Sequence, residues 1–440
     1  MTNETKTKKK NQVDDSKYSM DTHLIYGKNV SDSWDYSHHV TAPISSSTTF
    51  RLDSVERGAQ GFMQFANTEL LGDQAPIFIY DRLGEPNKDM LEENLAYVEK
   101  GETAVSFASG MGAISAILGV LTNSGDEIIT HTTLYGCTIS LFNNWYPKYK
   151  IKVSPIDLTQ PKNIFNVAAE KTKVIYFETP ANPNIEIVDV RAIADVVQDI
   201  NKTRNEEDQI KIVVDNTFAT PFCQRPIELG ADFVVHSLTK GIGGFGTDMG
   251  GVVIGKKKYR DIILLYRKDF GAVLNTKSAW AILTYGLPTL AIRQRHQIKS
   301  ATRIAEFLNA HPKIEFVNYP GLPGSKNYEI AKKQMIDFNG NFAPGSMLYF
   351  VLKGNSPAES KENGRKFMDY VADNAYTMTL AVSLGHTRTL IEHPASMTHS
   401  VVPPEKLSER GIDPGGVRLA IGLENADDIL LDLDESLKVI

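Results

Sequence analysis

The chain has 440 residues, 42% of them hydrophobic and 23% charged, with a formal net charge of -6. That length supports a sizeable core and roughly two or three domains, and the acidic balance provides no overall electrostatic footprint for nucleic acid or an anionic membrane. Two cysteines, Cys137 and Cys223, cannot build a disulfide framework in a chain this large and fit a reducing, cytoplasmic setting, and no apolar run reaches transmembrane length.

The N-terminal MTNETKTKKKNQVDDSK carries no apolar stretch that could act as a secretory signal. Its KTKKK cluster could touch nucleic acid, but the run is short and Asp14 and Asp15 follow, so a solvated tail is the better reading. From Ser45 to Gln74 the residues are polar and rich in Ser, Thr and Gly without a sustained period, as in an extended arm with loops. Tail and arm together are expected over 1–75. In NKDMLEENLAYVEKG, Met90, Leu91, Leu95 and Val98 form a helical stripe, and Gly101 suits its C-terminal cap.

Strand-like and helical runs then alternate: TAVSF, MGAISAILGVL, EIITH and a polar helix, VIYFET, VRAIADVVQDI, IKIVVD, ADFVVHS and GGVVIG. Short, continuous, β-branched strands between helices predict an α/β fold whose mostly parallel sheet is covered on both faces. This large domain is expected over 76–286. Beyond Leu287 the pattern becomes α+β, with the long amphipathic IRQRHQIKSATRIAEFLNA, the strand SMLYFVLKG and the terminal helix ADDILLDLDESLKVI, which defines a smaller domain over 287–440.

The stretch VVHSLTKGIGGFGTDMGG contains a G-x-G-x-x-G at Gly241, Gly243 and Gly246. A dinucleotide site needs a strand before the glycines, a helix after them and an acidic residue about 20 positions on. ADFVVHS supplies the strand and Asp261 the acid, but Gly250 and Gly251 lead into β-branched strand text, so phosphate would find no helix N-terminus there. A P-loop fails as well, since its lysine follows the glycines and Lys240 precedes them. A lysine at the end of a buried strand, flanked by Ser237 and Thr239, suits covalent attachment of a flat aldehyde cofactor such as pyridoxal phosphate. S-x-T-K alone also fits an ordinary surface turn. Asp215, at the end of KIVVD, could hold the cofactor's pyridine nitrogen protonated, or could be a turn residue. In SFASGMGAIS, Ser109, Gly110 and Met111 stand where a strand passes into a helix, a place where backbone N–H groups bind phosphate. Tyr135, in HTTLYGCT, could stack on a pyridine ring or pack in a core.

These four segments, in this order, resemble the pyridoxal-phosphate enzymes of cysteine and methionine metabolism, the group of cystathionine synthases and lyases, O-acylhomoserine sulfhydrylases and methionine γ-lyases. The resemblance runs from about Thr22 to Ile440 and takes in ETPANPN, AVSLGHTRTLIEHPASMTHS and GVRLAIGLEN. It implies the fold type I architecture of pyridoxal-phosphate transferases and makes Lys240 the Schiff-base lysine and general base. Asp215 would pair with the pyridine nitrogen, and Gly110, Met111, Ser237 and Thr239 would hold phosphate. Tyr135 would stack on the ring and exchange a proton at the leaving group, and Asn182 would lie near the cofactor's phenolic oxygen. Arg418 would clamp the substrate carboxylate with help from the Ser383 backbone. Tyr80 and Arg82 match a Y-x-R that reaches the phosphate of a neighbouring subunit, which implies a homotetramer built as a dimer of dimers.

Cys137, with Lys268 and Asp269, resembles the methionine γ-lyase branch, and Arg388 would repel the distal amino group of a cystathionine. The implied activity is α,γ-elimination from L-methionine, with O-acetylhomoserine sulfhydrylase or a cystathionine γ-enzyme as the alternative. Glu85 and Asn87 depart from the family's usual Asn and Thr, and GIGGFGTD is nearer the sulfhydrylase style.

Overall fold

In the computed structural model, residues 15–27, 39–71, 76–397, 407 and 411–440 are described; the KTKKK cluster and Thr398, His399 and Ser400 of the HPASMTHS segment lie outside them. Seven strands make the first sheet: β1 (Thr103–Phe107), β2 (Glu127–His131), β3 (Lys152–Ile156), β4 (Thr172–Glu178), β5 (Lys211–Asp215), β6 (Phe233–Ser237) and β7 (Gly251–Gly255), in the order β1-β7-β6-β5-β4-β2-β3. All neighbours are parallel except those of β7, which runs antiparallel to both β1 and β6. Side-chain alternation along β5 shows why these strands are apolar throughout. Val213 joins the cluster beneath the helix Gly110–Leu121, while Ile212 and Val214 face Val190, Ile193 and Val197 of the helix Val190–Asn201.

The second sheet has five strands, β8 (Ile314–Asn318), β9 (Met347–Leu352), β10 (Met378–Leu380), β11 (Thr389–Glu392) and β12 (Gly416–Ala420), ordered β10-β11-β12-β9-β8. Its inner face, with Val417, Leu419 and Ile391, packs on Ala301, Ile304 and Leu308 of the helix Leu287–Ala310 and on Ile429 and Leu433 of the terminal helix Ala426–Leu437. The opposite face carries Leu390 and Ala420 against Ile185 and Leu384. Arg418 alternates with Val417 and Leu419 and so belongs to this second face. The helix Thr276–Ala281, a π-helical turn Ile282–Gly286 and the helix Leu287–Ala310 follow one another without a break, carrying the chain from one sheet to the other.

Three expectations are corrected. The arm is not wholly extended, because Val55–Gln64 is a helix capped by Ser54, whose side chain accepts from the Arg57 N–H at 3.0 Å. Its glycines disguise it, yet they serve packing: a Cβ on Gly61 would stand 2.9 Å from the Ile77 and Ile79 side chains. The helix Pro86–Val98 ends on Lys100, in the left-handed region at φ 63°, whereas Gly101 is needed because a Cβ there would meet Ile254 at 2.4 Å. Third, KVSPI forms β3, an edge strand whose half-exposed residues and proline carry no strong strand signal.

The departure at Glu85 also has a physical account. Glu85 is fully buried as the N-cap of Pro86–Val98, where its carboxylate accepts from the Asn87 and Lys88 N–H groups at 3.0 and 3.1 Å. Asn87 then ties the arm down, accepting from the Ser45 N–H at 2.8 Å and donating to the Pro43 carbonyl at 3.0 Å.

Candidate active site

The carboxyl ends of parallel strands β4, β5 and β6 converge on one crevice, the usual ligand position in an open α/β sheet. They carry Glu178, Asp215 and Ser237, and Lys240 follows in the turn after β6. Lys240 Nζ donates to Ser383 Oγ at 2.6 Å. Burial, reinforced by the positive charge of Arg418, lowers the Lys240 pKa, so its amine sheds its proton more readily than a surface lysine. Asp215 accepts from the Thr217 N–H at 2.9 Å, and Thr217 Oγ1 in turn accepts from the Ser237 N–H at 2.8 Å, fixing the ends of β5 and β6 to each other. Burial raises the Asp215 pKa against the opposing effect of the Thr217 hydrogen bonds.

Facing Ser237 is the N-terminus of the helix Gly110–Leu121. Ser109 caps it by accepting from the Gly112 N–H at 3.1 Å, and the N–H groups of Gly110 and Met111, in the first two helical positions, have no intrahelical acceptor. A Cβ on Gly110 would stand 2.8 Å from Ser237 Cβ and 3.2 Å from its hydroxyl. The absent side chain therefore lets the helix end, with its two free N–H groups, approach the serine closely, so that backbone and hydroxyl donors stand side by side. Thr239 is differently engaged: its hydroxyl accepts from the Gly250 N–H at 3.1 Å and donates to the Gly250 carbonyl at 3.3 Å.

Arg418 enters from the second sheet. It is 5% exposed, and donates from Nη1 to Asn182 Oδ1 and from Nη2 to the Ser383 carbonyl, both at 2.8 Å. Ser383 lies in the left-handed region at φ 94° and so bridges Lys240 through its side chain and Arg418 through its backbone. Gly385, at φ 74°, allows this loop to press onto the glycine turn, since a Cβ there would lie 2.3 Å from the Gly241 nitrogen. Tyr135, 42% exposed, stands at the start of the helix Gly136–Asn144, and its N–H donates to Glu178 at 2.8 Å. Burial and a hydrogen bond with Cys137 push the Tyr135 hydroxyl up to about 12.

Lys240, Asp215, Ser237, Thr239, Gly110, Met111, Tyr135, Cys137, Asn182, Ser383 and Arg418 thus share one region of the molecule. Tyr80 and Arg82 do not join it within the chain: Arg82 donates to the Lys268 carbonyl at 2.5 Å and lies over the Tyr80 ring at 5.6 Å. Arg388 is exposed, whereas His386 of the same loop lies against Gly246 and feels the charge of Lys240. Asp261 is remote from the glycines in function, accepting instead from Thr68 Oγ1 at 2.6 Å and the Thr68 N–H at 3.1 Å. No helix follows Gly246, and the next element is β7.

Sequence reasoning assigned no role to Glu178 and Glu392. Glu178 is 5% exposed, and burial together with the neighbouring charge of Asp215 holds its pKa well above the usual carboxylate range. Glu392 pairs in register with Arg418 across β11 and β12. Its only signal in the text was a carboxylate ending the short strand TLIE.

Residues 21–438 match the family model described as Cys/Met metabolism PLP-dependent enzyme. The chain belongs to this family. An L-methionine gamma-lyase of Fusobacterium nucleatum subsp. polymorphum is 41% identical over 430 residues, 97% of this chain and 100% of that protein. The O-acetyl-L-homoserine sulfhydrylase of Leptospira meyeri is 34% identical, with 90% of this chain and 92% of that protein covered. The crystal structure of cystathionine gamma-lyase from Lactobacillus plantarum complexed with L-serine superposes with a TM-score of 0.81 at 30% identity, covering 96% of this chain and 99% of that one. As a member of a PLP-dependent family of fold type I, the chain takes pyridoxal phosphate as its cofactor. Its residues fit the group: free N–H groups at Gly110 and Met111 beside the Ser237 hydroxyl, a carboxylate at the end of β5 and a partly buried amine at Lys240 lie together. Among the described residues, no cluster of His, Cys, Asp and Glu suits a metal ion, and no helix is long and apolar enough to cross a membrane.

Proposed function

We propose that the chain is a cytoplasmic, homotetrameric L-methionine γ-lyase, converting methionine and water to methanethiol, ammonia and 2-oxobutanoate. The observation that carries this reading is the grouping of Lys240, Asp215, Tyr135 and Arg418 around one crevice. Several L-methionine gamma-lyases at 38–42% identity support the choice of substrate.

Pyridoxal phosphate supplies an electron sink beside the substrate's α-carbon. Gly110 and Met111 backbone donors, with the Ser237 hydroxyl, would hold its phosphate while Thr239 braces the turn through Gly250, Asp215 would keep its ring nitrogen protonated, and Tyr135 would pack on its face, with Asn182 near its phenolic oxygen. Tyr80 and Arg82, which hold Lys268 and each other within their own chain, would reach the phosphate of a neighbouring subunit. The remaining donors of Arg418 would grip the substrate carboxylate, since Asn182 and Ser383 already fix the plane of the guanidinium. Lys240, with its lowered pKa, would take the proton from Cα and move one at Cβ. The Tyr135 hydroxyl stays protonated at neutral pH and would donate to the departing sulfur, with Cys137 beside it.

Purified protein incubated with L-methionine should release 2-oxobutanoate and methanethiol in equal amounts. Conversion of O-acetylhomoserine and sulfide to homocysteine at a greater kcat/KM than methionine cleavage would favour the sulfhydrylase reading, which the GIGGFGTD turn supports.

A further inference from the structure

Glu392 stands directly behind the proposed carboxylate clamp. It is 2% exposed, its Oε1 lies 3.1 Å from Arg418 Nη1, and its Oε2 is buried with no hydrogen-bond partner. Strand alternation puts it on the same face as Arg418, with which it is paired across the sheet, while Ile391 points into the opposite core. Asn182 and the Ser383 carbonyl already orient the guanidinium. A carboxylate is therefore not required for geometry, and neutral acceptors would satisfy Arg418 without placing a second negative charge near an anion-binding group.

We propose that Glu392 sets the strength of substrate binding, acting as a fixed counter-ion that weakens the hold of Arg418 on a ligand carboxylate. This rests on Arg418 being the carboxylate clamp. A bound carboxylate and Glu392 share one guanidinium within a recessed site, where like charges a few ångströms apart repel strongly. The carboxylate is common to substrate and keto-acid product, so a tight grip on it would be uniform binding, which lowers KM and slows release without accelerating chemistry. A built-in counter-ion limits that grip and leaves the geometry of the clamp intact. A purely structural role predicts the reverse, because a residue needed only to hold Arg418 in place would weaken ligand binding when altered.

The test is calorimetric titration of the holoenzyme with L-norleucine, which carries the amino and carboxylate groups of methionine but no leaving group. Glu392→Gln preserves size and should tighten norleucine binding about tenfold, with little change for norleucine amide, whose carboxylate charge is gone. Glu392→Ser, a second neutral variant, should shift affinity in the same direction if the glutamine form does not retain cofactor. Unchanged or weaker norleucine binding in a folded, cofactor-loaded variant would overturn the proposal, as would equal tightening toward the amide. Measuring 2-oxobutanoate from L-methionine in parallel separates the two readings, since its absence counts against the lyase assignment and leaves the norleucine comparison standing.

Discussion

Lys240 and Ser383 are 143 residues apart and belong to different sheets' connections, yet the lysine amine donates to the serine hydroxyl at 2.6 Å. The same serine accepts from Arg418 through its carbonyl, so a single loop residue sets the spacing between the proposed base and the proposed carboxylate clamp. Replacing Lys240 by Ala should remove covalent cofactor attachment and lower methionine elimination by at least about 10³-fold, as expected for a residue that is both nucleophile and base. Visible absorbance of the purified variant and 2-oxobutanoate release check both halves of this expectation.

Arg418 offers a planar fork that an ammonium group cannot reproduce. Arg418→Lys should raise KM for L-methionine by about 10²-fold, through loss of a charge-assisted bidentate contact of about 2–3 kcal/mol, with a smaller change in kcat. Steady-state kinetics across a wide methionine range distinguish this from a general loss of folded enzyme.

The proposed phosphate site at Gly110 depends on an absent side chain. Gly110→Ala would place a Cβ at 2.8 Å from Ser237 Cβ and should weaken retention of pyridoxal phosphate by about tenfold, about 1.4 kcal/mol, while leaving the sheet intact. Equilibrium dialysis of the cofactor, with circular dichroism as the control for folding, reads this directly.

For Tyr135 the sign of the pKa shift sets the pH behaviour. Its hydroxyl is pushed up to about 12, so its proton is present throughout the neutral and mildly alkaline range and is lost only as pH rises through that value. Tyr135→Phe should lower kcat about 10²-fold, the usual contribution of a positioned general acid, and leave the shape of the kcat profile between about pH 7 and 9 unchanged. An alkaline limb present in the parent and absent from the variant would show instead that Tyr135 titrates within that window.

Behind the site, His236 Nε2 and Glu99 Oε2 are 2.9 Å apart with both side chains 0% exposed, and Asn216 donates to the other Glu99 oxygen at 3.1 Å. Glu99→Ala would leave the buried imidazole without its partner and remove one of the hydrogen bonds of the Asn216 amide, which keeps those to Gln224. It should cost about 3–5 kcal/mol of stability, measured as a lower urea midpoint.

Local chemistry was enough to reveal the strands around the site, because a buried parallel strand must be apolar on both faces and TAVSF, KIVVD and ADFVVHS leave little alternative. The β-branched run after Gly250 and Gly251 likewise told against a dinucleotide fingerprint, and the position of Lys240 before its glycines against a P-loop, from text alone. The helix Val55–Gln64 and the edge strand β3 were not legible, since their glycines and proline answer to close packing and edge position that a single segment does not report. Nor could the text distinguish Gly101 from Lys100 as the left-handed residue, a choice made by the approach of Ile254 from another strand. The residue types of the site were therefore determined by the sequence by itself. The juxtaposition of Lys240 with Ser383, of Arg418 with Glu392 and of Gly110 with Ser237 was decided only by the tertiary structure, because the first depends on connections of two sheets packing together, the second on the pairing of β11 with β12 and the third on a helix end closing on the end of β6.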